Sequence, residues 1–306
     1  MGKIKILVIP SDKHGVGKFR SIDPHLRLQD LYPEDYHITI SHEFKFEPSE
    51  IVKYDIIHIH KLPYNDYEYG VNTIKKIQIL DVKVIVDIDD YWKLSVKHPQ
   101  YFLYTDGKRA EQILEAIKIA DYVTTTTPIA ANFIRKFNKN VMVLPNAINP
   151  EEDQCKIVKK ESNFQTRFGW LGGSNHVADI ELMGGLFNRI RELNNSQLVL
   201  GGFDVRGTKI ELDKATNKYK AVAMIPQETD AYKYEMLFTD RYKLIEGDQE
   251  YLNILKQYKE IPFNDLDKSY RRIWTKDTNN YLRGYNDIDV LFAPLVEHDY
   301  NKFKSQ

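Results

Sequence analysis

The chain has 306 residues, 42% hydrophobic and 28% charged, which excludes a disordered or low-complexity polymer. It leaves room for two domains, since single cores rarely grow beyond roughly 250–300 residues. A formal net charge of −1 supplies no broad basic field, so no nucleic-acid partner is expected, and a lone cysteine, Cys155, excludes an internal disulfide framework and fits a reducing compartment.

The amino terminus, MGKIKILVIP, has an apolar run too short for a secretory signal. Ile6 stands where a myristoylation signal would carry Ser or Thr. Nothing approaches the ~18 uninterrupted apolar residues of a membrane span. A cytoplasmic protein is therefore expected, with peripheral membrane contact left open.

The first half alternates strand and helix patterns. Apolar runs predict strands at 5–9, 37–40, 55–60, 83–87, 122–126 and 141–144. Helical spacing predicts helices at 19–31, 67–80, 110–120 and 128–137, the last opened by Pro128. Repeated βα units imply a parallel sheet with helices on both faces. The pattern lapses between 149 and 163, which reads as a linker. A second unit then predicts a strand at 166–171, a helix at 179–193 and a strand at 197–201. The stretch 206–276 is poorly periodic apart from a helix near 249–259, a helix closes at 281–286, and a short buried strand is expected at 288–291.

Four constellations carry chemistry. Directly after the first strand, Gly15, Gly17 and Arg20 lie in the loop DKHGVGKFR, where glycines would let backbone amides approach an anion. The dinucleotide fingerprint is incomplete there, and a purely structural turn stands beside the anion-binding reading. The cluster Asp87, Asp89, Asp90 ends the fourth strand, where mutually repelling carboxylates need a positive or hydroxylated partner. No His or Cys lies at ligand spacing within it, so nothing here argues for a metal, and a cluster of acids capping a helix is the plain reading. Gly172, Gly173 and Ser174 end the first strand of the second unit. Finally, Asn301, Lys302, Lys304 and Ser305 follow Pro294 and would suit a phosphate, against a solvated basic tail.

These segments resemble, in order, those of bacterial or phage nucleotide-sugar glycosyltransferases of the family 4 type, which have the GT-B fold. Asp287 to Ser305 resembles the D-(I/V)-x-(L/F)-A-P-L…(F/Y)-N-x-x-K-S stretch, and Gly15 to Pro24 the G-(V/I)-G-x-(Y/F)-R…P loop. Asp87 to Trp92 with His98-Pro99 is similar to D-(I/H)-D-D-x-W…HP, and Phe168 to His176 to G-W-x-G-(S/T)-x-x-H. Thr124 to Pro128 and Leu144 to Ile148 match the markers that close the family's first domain. Two departures stand out. His176, Val177 and Asp179 occupy the region where better-known members carry an arginine and a lysine for the diphosphate. The chain also reaches Gln306 before the family's next lysine and its ribose-binding glutamate.

The resemblance implies an α/β protein with two Rossmann-like domains of GT-B type and parallel sheets. The expected domains are 1–150 on the acceptor side and 151–306 on the donor side, the second incomplete. It further implies hexosyl transfer from a nucleotide-diphosphate donor to a glycan or other hydroxyl acceptor, with retention. Asp89 and Asp90 would act on sugar hydroxyls and Trp92 would pack or stack. Gly15, Gly17, Arg20, Gly172, Gly173, Ser174, Lys304 and Ser305 would hold the donor diphosphate. No cofactor or metal is implied, the nucleotide-sugar being a substrate. A catalytically inactive nucleotide-sugar binding remnant or scaffold remains as a second reading. A nicotinamide-dependent oxidoreductase has only the glycine loop in its favour.

Overall fold

A computed structural model describes residues 2–13, 15–63, 67–94, 96, 101–156, 158, 165–173, 176–184, 186–203, 208–213, 218–225, 228, 270–274 and 277–304. The chain divides into two compact units, 1–148 together with 297–306, and 149–296. The last ten residues thus belong with the first unit, not with the second as expected from their position in the sequence. No helix among the described residues is long and apolar enough to cross a membrane.

The first unit is built on a parallel six-stranded sheet in the order β2-β1-β3-β4-β5-β6. In chain order the strands are β1 (Ile4–Ile9), β2 (Tyr36–Ile40), β3 (Ile56–His60), β4 (Lys83–Ile88), β5 (Tyr122–Thr125) and β6 (Val141–Val143). The helices are α1 (Asp23–Leu31), α2 (Pro48–Ile51), α3 (Tyr67–Ile79), α4 (Tyr101–Thr105), α5 (Arg109–Ile119) and α6 (Pro128–Ile134). The apolar runs became central strands because both faces are covered. On one face Leu7, Ile9, Ile57, Ile59, Val84 and Val86 pack with Ile74 and Ile77 of α3 and Ile113 and Ile117 of α5. The opposite face begins apolar, with Ile6, Val8 and Ile38 under Leu28 of α1. It then turns polar along β3, β4 and β5, where His58, His60, Asp87 and Thr124 are all buried.

Two short helices, α2 and α4, lack enough residues to display a period and were missed in the sequence. The helix expected from residue 19 begins earlier and carries a π-helical stretch, Gly17–Ile22, before α1. Such wide turns are rare and recur at functional sites. Gly17 is required there, because a Cβ would lie 2.0 Å from the Asp12 carbonyl oxygen. Thr127 caps α6 by accepting the Ala130 N–H at 3.1 Å, with Pro128 at the first helical position.

The second unit holds a parallel four-stranded sheet in the order β11-β8-β7-β12. Its strands are β7 (Thr166–Leu171), β8 (Ser196–Phe203), β11 (Tyr270–Trp274) and β12 (Val290–Leu291). An antiparallel hairpin, β9 (Thr208–Asp213) with β10 (Lys218–Ala223), lies in the region that looked aperiodic. The helix expected at 179–193 is two, α7 (Val177–Glu181) and α8 (Leu186–Glu192), separated around Gly184. The expected strand at 288–291 is shorter and less buried than predicted. Ile288 is buried and would clash with a Cβ at Gly169, but Val290 and Leu291 are exposed, because β12 pairs only with β7 among the described strands. A fork from Arg167 to Asp289, at 3.0 Å on both oxygens, fixes that pairing. The helix expected near 249–259 lies outside the described residues.

The carboxyl-terminal stretch returns to the first unit through α9 (Asp299–Lys302) and Phe303. Phe303 is buried against Tyr91, Trp92 and Phe133, with ring centroids 4.9, 6.1 and 5.5 Å away, and its carbonyl accepts Thr126 Oγ1 at 3.2 Å. Trp92 is therefore a core residue of the first unit. Phe303→Ala should cost about 3–5 kcal/mol in urea denaturation of the first unit and expose residues 297–304 to protease. Unchanged stability and cleavage would mean that this segment is not docked there.

Candidate functional site

In the first sheet, β1 has β2 on one side and β3 on the other, so the strand order reverses at β1 and β3. Open α/β sheets bind ligands outside the carboxyl ends of the strands at such a point. Those ends deliver Ser11 and the glycine loop from β1, His60 and Lys61 from β3, and Asp87, Asp89 and Asp90 from β4.

The foundation is one row across the sheet, in which His60, Asp87 and Thr124 stand in register. Arg20 reaches this row from the π-helical stretch and forks onto Asp87, Nε to Oδ2 at 3.0 Å and Nη2 to Oδ1 at 2.5 Å. Thr124 donates to the same Oδ1 at 2.6 Å. The third guanidinium nitrogen donates to the Leu144 carbonyl at 2.5 Å and to Asn146 Oδ1 at 3.2 Å. Arg20 and Asp87 are both buried, so each needs these partners to be tolerated. Arg20 was expected to hold a diphosphate. Its three nitrogens are instead spent on protein acceptors, which makes it the brace beneath the site.

The glycine loop is also partly self-satisfied. Asp12 Oδ1 accepts the Gly17 N–H at 3.2 Å, so the chain's own carboxylate takes that donor. Gly15 has φ of +46°, a left-handed conformation that favours glycine, and open space where its side chain would be.

Above this row sits a compact network of charge. Lys61 Nζ lies 2.8 Å from Asp89 Oδ1 and 3.7 Å from Asp90 Oδ2, and Lys304 Nζ lies 3.5 Å from Asp90 Oδ1. Lys61 is held in an unusual backbone state, φ +62°, inside a three-residue turn closed by Leu62 N–H to the His60 carbonyl at 2.8 Å. Turns of this hand are rare and strained for a side-chain-bearing residue, and such strain clusters at functional sites. It is maintained by the Lys61 N–H bond to the Asp87 carbonyl at 3.0 Å. Burial pulls the Lys61 ammonium down, but Asp89 and then Asp90 carry it above the ordinary lysine range. Burial likewise opposes the Asp89 charge, yet Lys61 and then His60 hold that carboxyl well below its usual range. Lys304, penalised by burial, is raised by Asp90 and by Tyr300, whose ring lies 4.7 Å from Nζ. Asp90 keeps a quarter of its side chain in solvent, whereas Asp89 keeps 8%.

Two histidines that the sequence reading passed over complete the site. His60 is buried, with Nδ1 2.6 Å from Ser11 Oγ and Nε2 3.0 Å from Asp89 Oδ1. His58 lies beneath, its ring 4.5 Å from that of His25, and its Nδ1 has no hydrogen-bond partner. The signal was present: in Ile56-Ile57-His58-Ile59-His60 the two histidines share one face and the second ends the strand.

Of the expected donor residues, Gly172 and Gly173 end β7 in the second unit, next to the point where the order reverses between β7 and β12. A Cβ on Gly172 would meet the Trp170 ring at 2.5 Å, whereas Gly173 is exposed with open space around it. His176, which stands near where the family would place basic residues, is 2.7 Å from the buried carboxylate of Asp179. Asp179 also accepts the Val296 N–H at 2.7 Å. Ser174 and Ser305 lie outside the described residues. The structure therefore gathers Asp89, Asp90 and Lys304 into one group in the first unit, and adds Lys61, His60 and Ser11. Among the described residues no three His, Cys, Asp or Glu side chains are arranged to hold a metal ion.

No family model and no curated protein matches the chain. Among solved structures, an α-glucosyltransferase in complex with UDP-glucose and DNA containing an abasic site is similar over 95% of this chain and 72% of its own, at 13% identity and a TM-score of 0.49. A sucrose-phosphate synthase from Thermosynechococcus elongatus is similar over 96% and 77%, at 12% identity and a TM-score of 0.49. A glycosyltransferase from Rickettsia africae ESF-5 is similar over 95% and 73%, at 11% identity and a TM-score of 0.44. The α-glucosyltransferase with its DNA overturns the expectation that nucleic acid is excluded as a partner. A net charge averages over the whole chain and says nothing of a local patch, so it is no ground for that exclusion.

The buried histidines give the first unit an acid limb. His58 is held well below its ordinary range by burial first, then by the charges of His25, His60 and Arg20. His25 is lowered by burial, against the Ser21 carbonyl and Asp87. Both stay neutral in the fold while the unfolded chain takes up protons near about pH 6.5. Stability should thus fall as pH drops below about 6.5, because the unfolded state then binds more protons. His58→Leu should flatten that limb in urea midpoints compared at neutral and mildly acid pH. An identical slope in the variant would show that His58 does not carry it.

Proposed function

We propose that the chain transfers a sugar from a nucleoside-diphosphate donor to a hydroxyl acceptor, and that the first unit's switch point orients the reacting hydroxyls. The observation that carries this reading is the pair of carboxylates, Asp89 and Asp90, held at the carboxyl end of β4 by the ammonium groups of Lys61 and Lys304. Carboxylates fixed in this way accept hydrogen bonds from a polyol without having to reorganise. The ordered resemblance of the surrounding segments to nucleotide-sugar transferases supports the same reading, and implies a hexosyl donor and retention at the anomeric carbon.

The two carboxylates differ in role. Asp89 is buried against His60 and Lys61, so it sets the charge of the site from below. Asp90 faces solvent and is the one placed to accept a sugar or acceptor hydroxyl. Departure of a nucleoside diphosphate develops negative charge, and Lys61 and Lys304 are the site's ammonium groups, each already sharing a carboxylate. We assign Lys304 to the diphosphate. The glycine loop contributes shape more than anion binding, since Gly17 donates to Asp12.

Calorimetry with nucleoside diphosphates and their sugars, paired with a transfer assay, tests the reading. The native chain should bind donor and turn it over. Asp90→Asn should lower transfer by about 10–100-fold, the worth of a hydrogen bond to a charged group, with donor affinity little changed. Lys304→Ala should weaken donor binding by a similar factor. Binding without transfer would favour a nucleotide-sugar binding protein, and absence of donor binding would remove the reading altogether. Equal affinities of the native chain and Lys304→Ala would take Lys304 out of the donor site.

A further inference from the structure

Ser11, His60 and Asp89 lie in a line that no motif in the sequence announces. Ser11 follows β1 directly and is exposed. Its Oγ is 2.6 Å from Nδ1 of the buried His60, whose Nε2 is 3.0 Å from Oδ1 of the buried Asp89. A hydroxyl at the surface is thus joined through one imidazole to a carboxylate in the interior.

The donors and acceptors in this line can be counted. A carboxylate only accepts, a hydroxyl brings one proton, and a neutral imidazole brings one. Asp89 stays ionised because Lys61 lies 2.8 Å from the same oxygen, so Nε2 of His60 must carry the proton that bonds to it. Nδ1 of neutral His60 then has a lone pair and accepts from Ser11 Oγ. Ser11 Oγ is also 3.0 Å from Asp12 Oδ2, a second acceptor. Satisfying all three contacts, Asp12 to Ser11, Ser11 to His60 and His60 to Asp89, takes three protons, one more than the hydroxyl and a neutral imidazole supply together. The line therefore has capacity for one further proton, and the place that proton rests is His60.

We propose that Ser11, His60 and Asp89 form a proton relay that opens at Ser11 and takes the proton of the hydroxyl attacking the sugar, a role that rests on the transferase reading above. In the step, the acceptor O–H bond breaks and its oxygen bonds to the anomeric carbon on the face from which the diphosphate leaves, which keeps the configuration. The bond from that carbon to the diphosphate oxygen breaks, and its electron pair leaves with the diphosphate. The acceptor's proton passes to Ser11 Oγ as the serine's own proton moves to His60 Nδ1. Asp89 does not take the proton; it orients the ring and stabilises the imidazolium, as a buried carboxylate does behind a histidine base. The proton returns to solvent by the same path.

Charged and titratable groups lie around His60. Asp12 stands on the loop after β1, bonded to Ser11, and Asp89 after β4. Lys61, next in the chain, is paired with Asp89, Arg20 from the π-helical stretch is paired with Asp87, and His58 on the same strand is held well below its ordinary range by burial. Ser11 is catalytic in this scheme, since it touches the substrate, and Asp89 is a positioning residue.

The test compares the pH dependence of transfer in the native chain, Ser11→Ala and His60→Gln, with donor affinity measured by calorimetry for each. The native rate should show an acid limb governed by one group. His60→Gln should lose roughly 100-fold in kcat and lose the limb, as expected for removal of a general base, with donor affinity within about two-fold. Ser11→Ala, an exposed substitution that leaves the fold alone, should lower kcat and keep the limb. Native transfer with rates and limbs unchanged in both variants would overturn the relay and leave the transferase reading standing. A native chain that neither binds donor nor transfers sugar would overturn both.

Discussion

Arg20 and Asp87 form an ion pair buried in the polar half of the first sheet, and the geometry at the carboxyl ends of β1, β3 and β4 follows from it. A buried pair gains little on its own, because two charges lose their water. Here the remaining valences are filled: Thr124 reaches Asp87, and the Leu144 carbonyl and Asn146 reach Arg20. The pair therefore joins the helix after β1, the middle strands and the segment after β6, three stretches far apart in sequence. Thr125 extends the same bracing by donating to the Ile88 carbonyl at 2.6 Å, and Thr126 by holding the carbonyl of Phe303. What reads in sequence as a run of strand-forming threonines works in the fold as a row of hydroxyl braces.

Above that foundation, charge is balanced locally. Two ammonium groups, one of them on a strained turn, meet two carboxylates, and one carboxylate, Asp90, remains partly open to solvent. The arrangement separates tasks. Asp89 is kept charged and unavailable, and so serves as a fixed potential under His60. Asp90 and Ser11 face outward, where a hydroxylated ligand could reach them. Linkage has an opposite sign at the two ends of this network. The contribution of Asp89 is present above the unfolded carboxyl value of about 3.9 and lost as pH falls through its depressed folded value. That of Lys61 is present below about 10.4 and lost as pH rises through its raised one.

Much of the first unit was legible because its strands are buried on both faces and so appear as uninterrupted apolar runs, β1 and β4 above all. The second unit was less legible. β9, β10 and β11 are rich in Lys, Glu and Arg, so their alternation is masked by charge, and the sequence between β9 and β10 holds no glycine. Gly184-Gly185 announced the break between α7 and α8, but helical spacing on both sides concealed it. At the candidate site, the acidic cluster and Lys304 were singled out from local pattern and resemblance, and the fold brings them together. The role of Arg20 was not, because its partner lies 67 residues away and only the folded sheet joins them. His60 and Ser11 escaped for a similar reason: each looks ordinary within its own segment, and their chemistry appears only when β1, β3 and β4 lie side by side.

The most direct test of the claim that this pair organises the switch point is a double-mutant cycle on stability with Arg20→Met, Asp87→Leu and the combination. Each single change should cost about 3–5 kcal/mol, since it strands a buried charge. The double variant should lose much less than the sum, with a coupling of about 2 kcal/mol or more. Losses that add to within about 0.5 kcal/mol would contradict it, and would mean that Arg20 and Asp87 are held by the site rather than holding it.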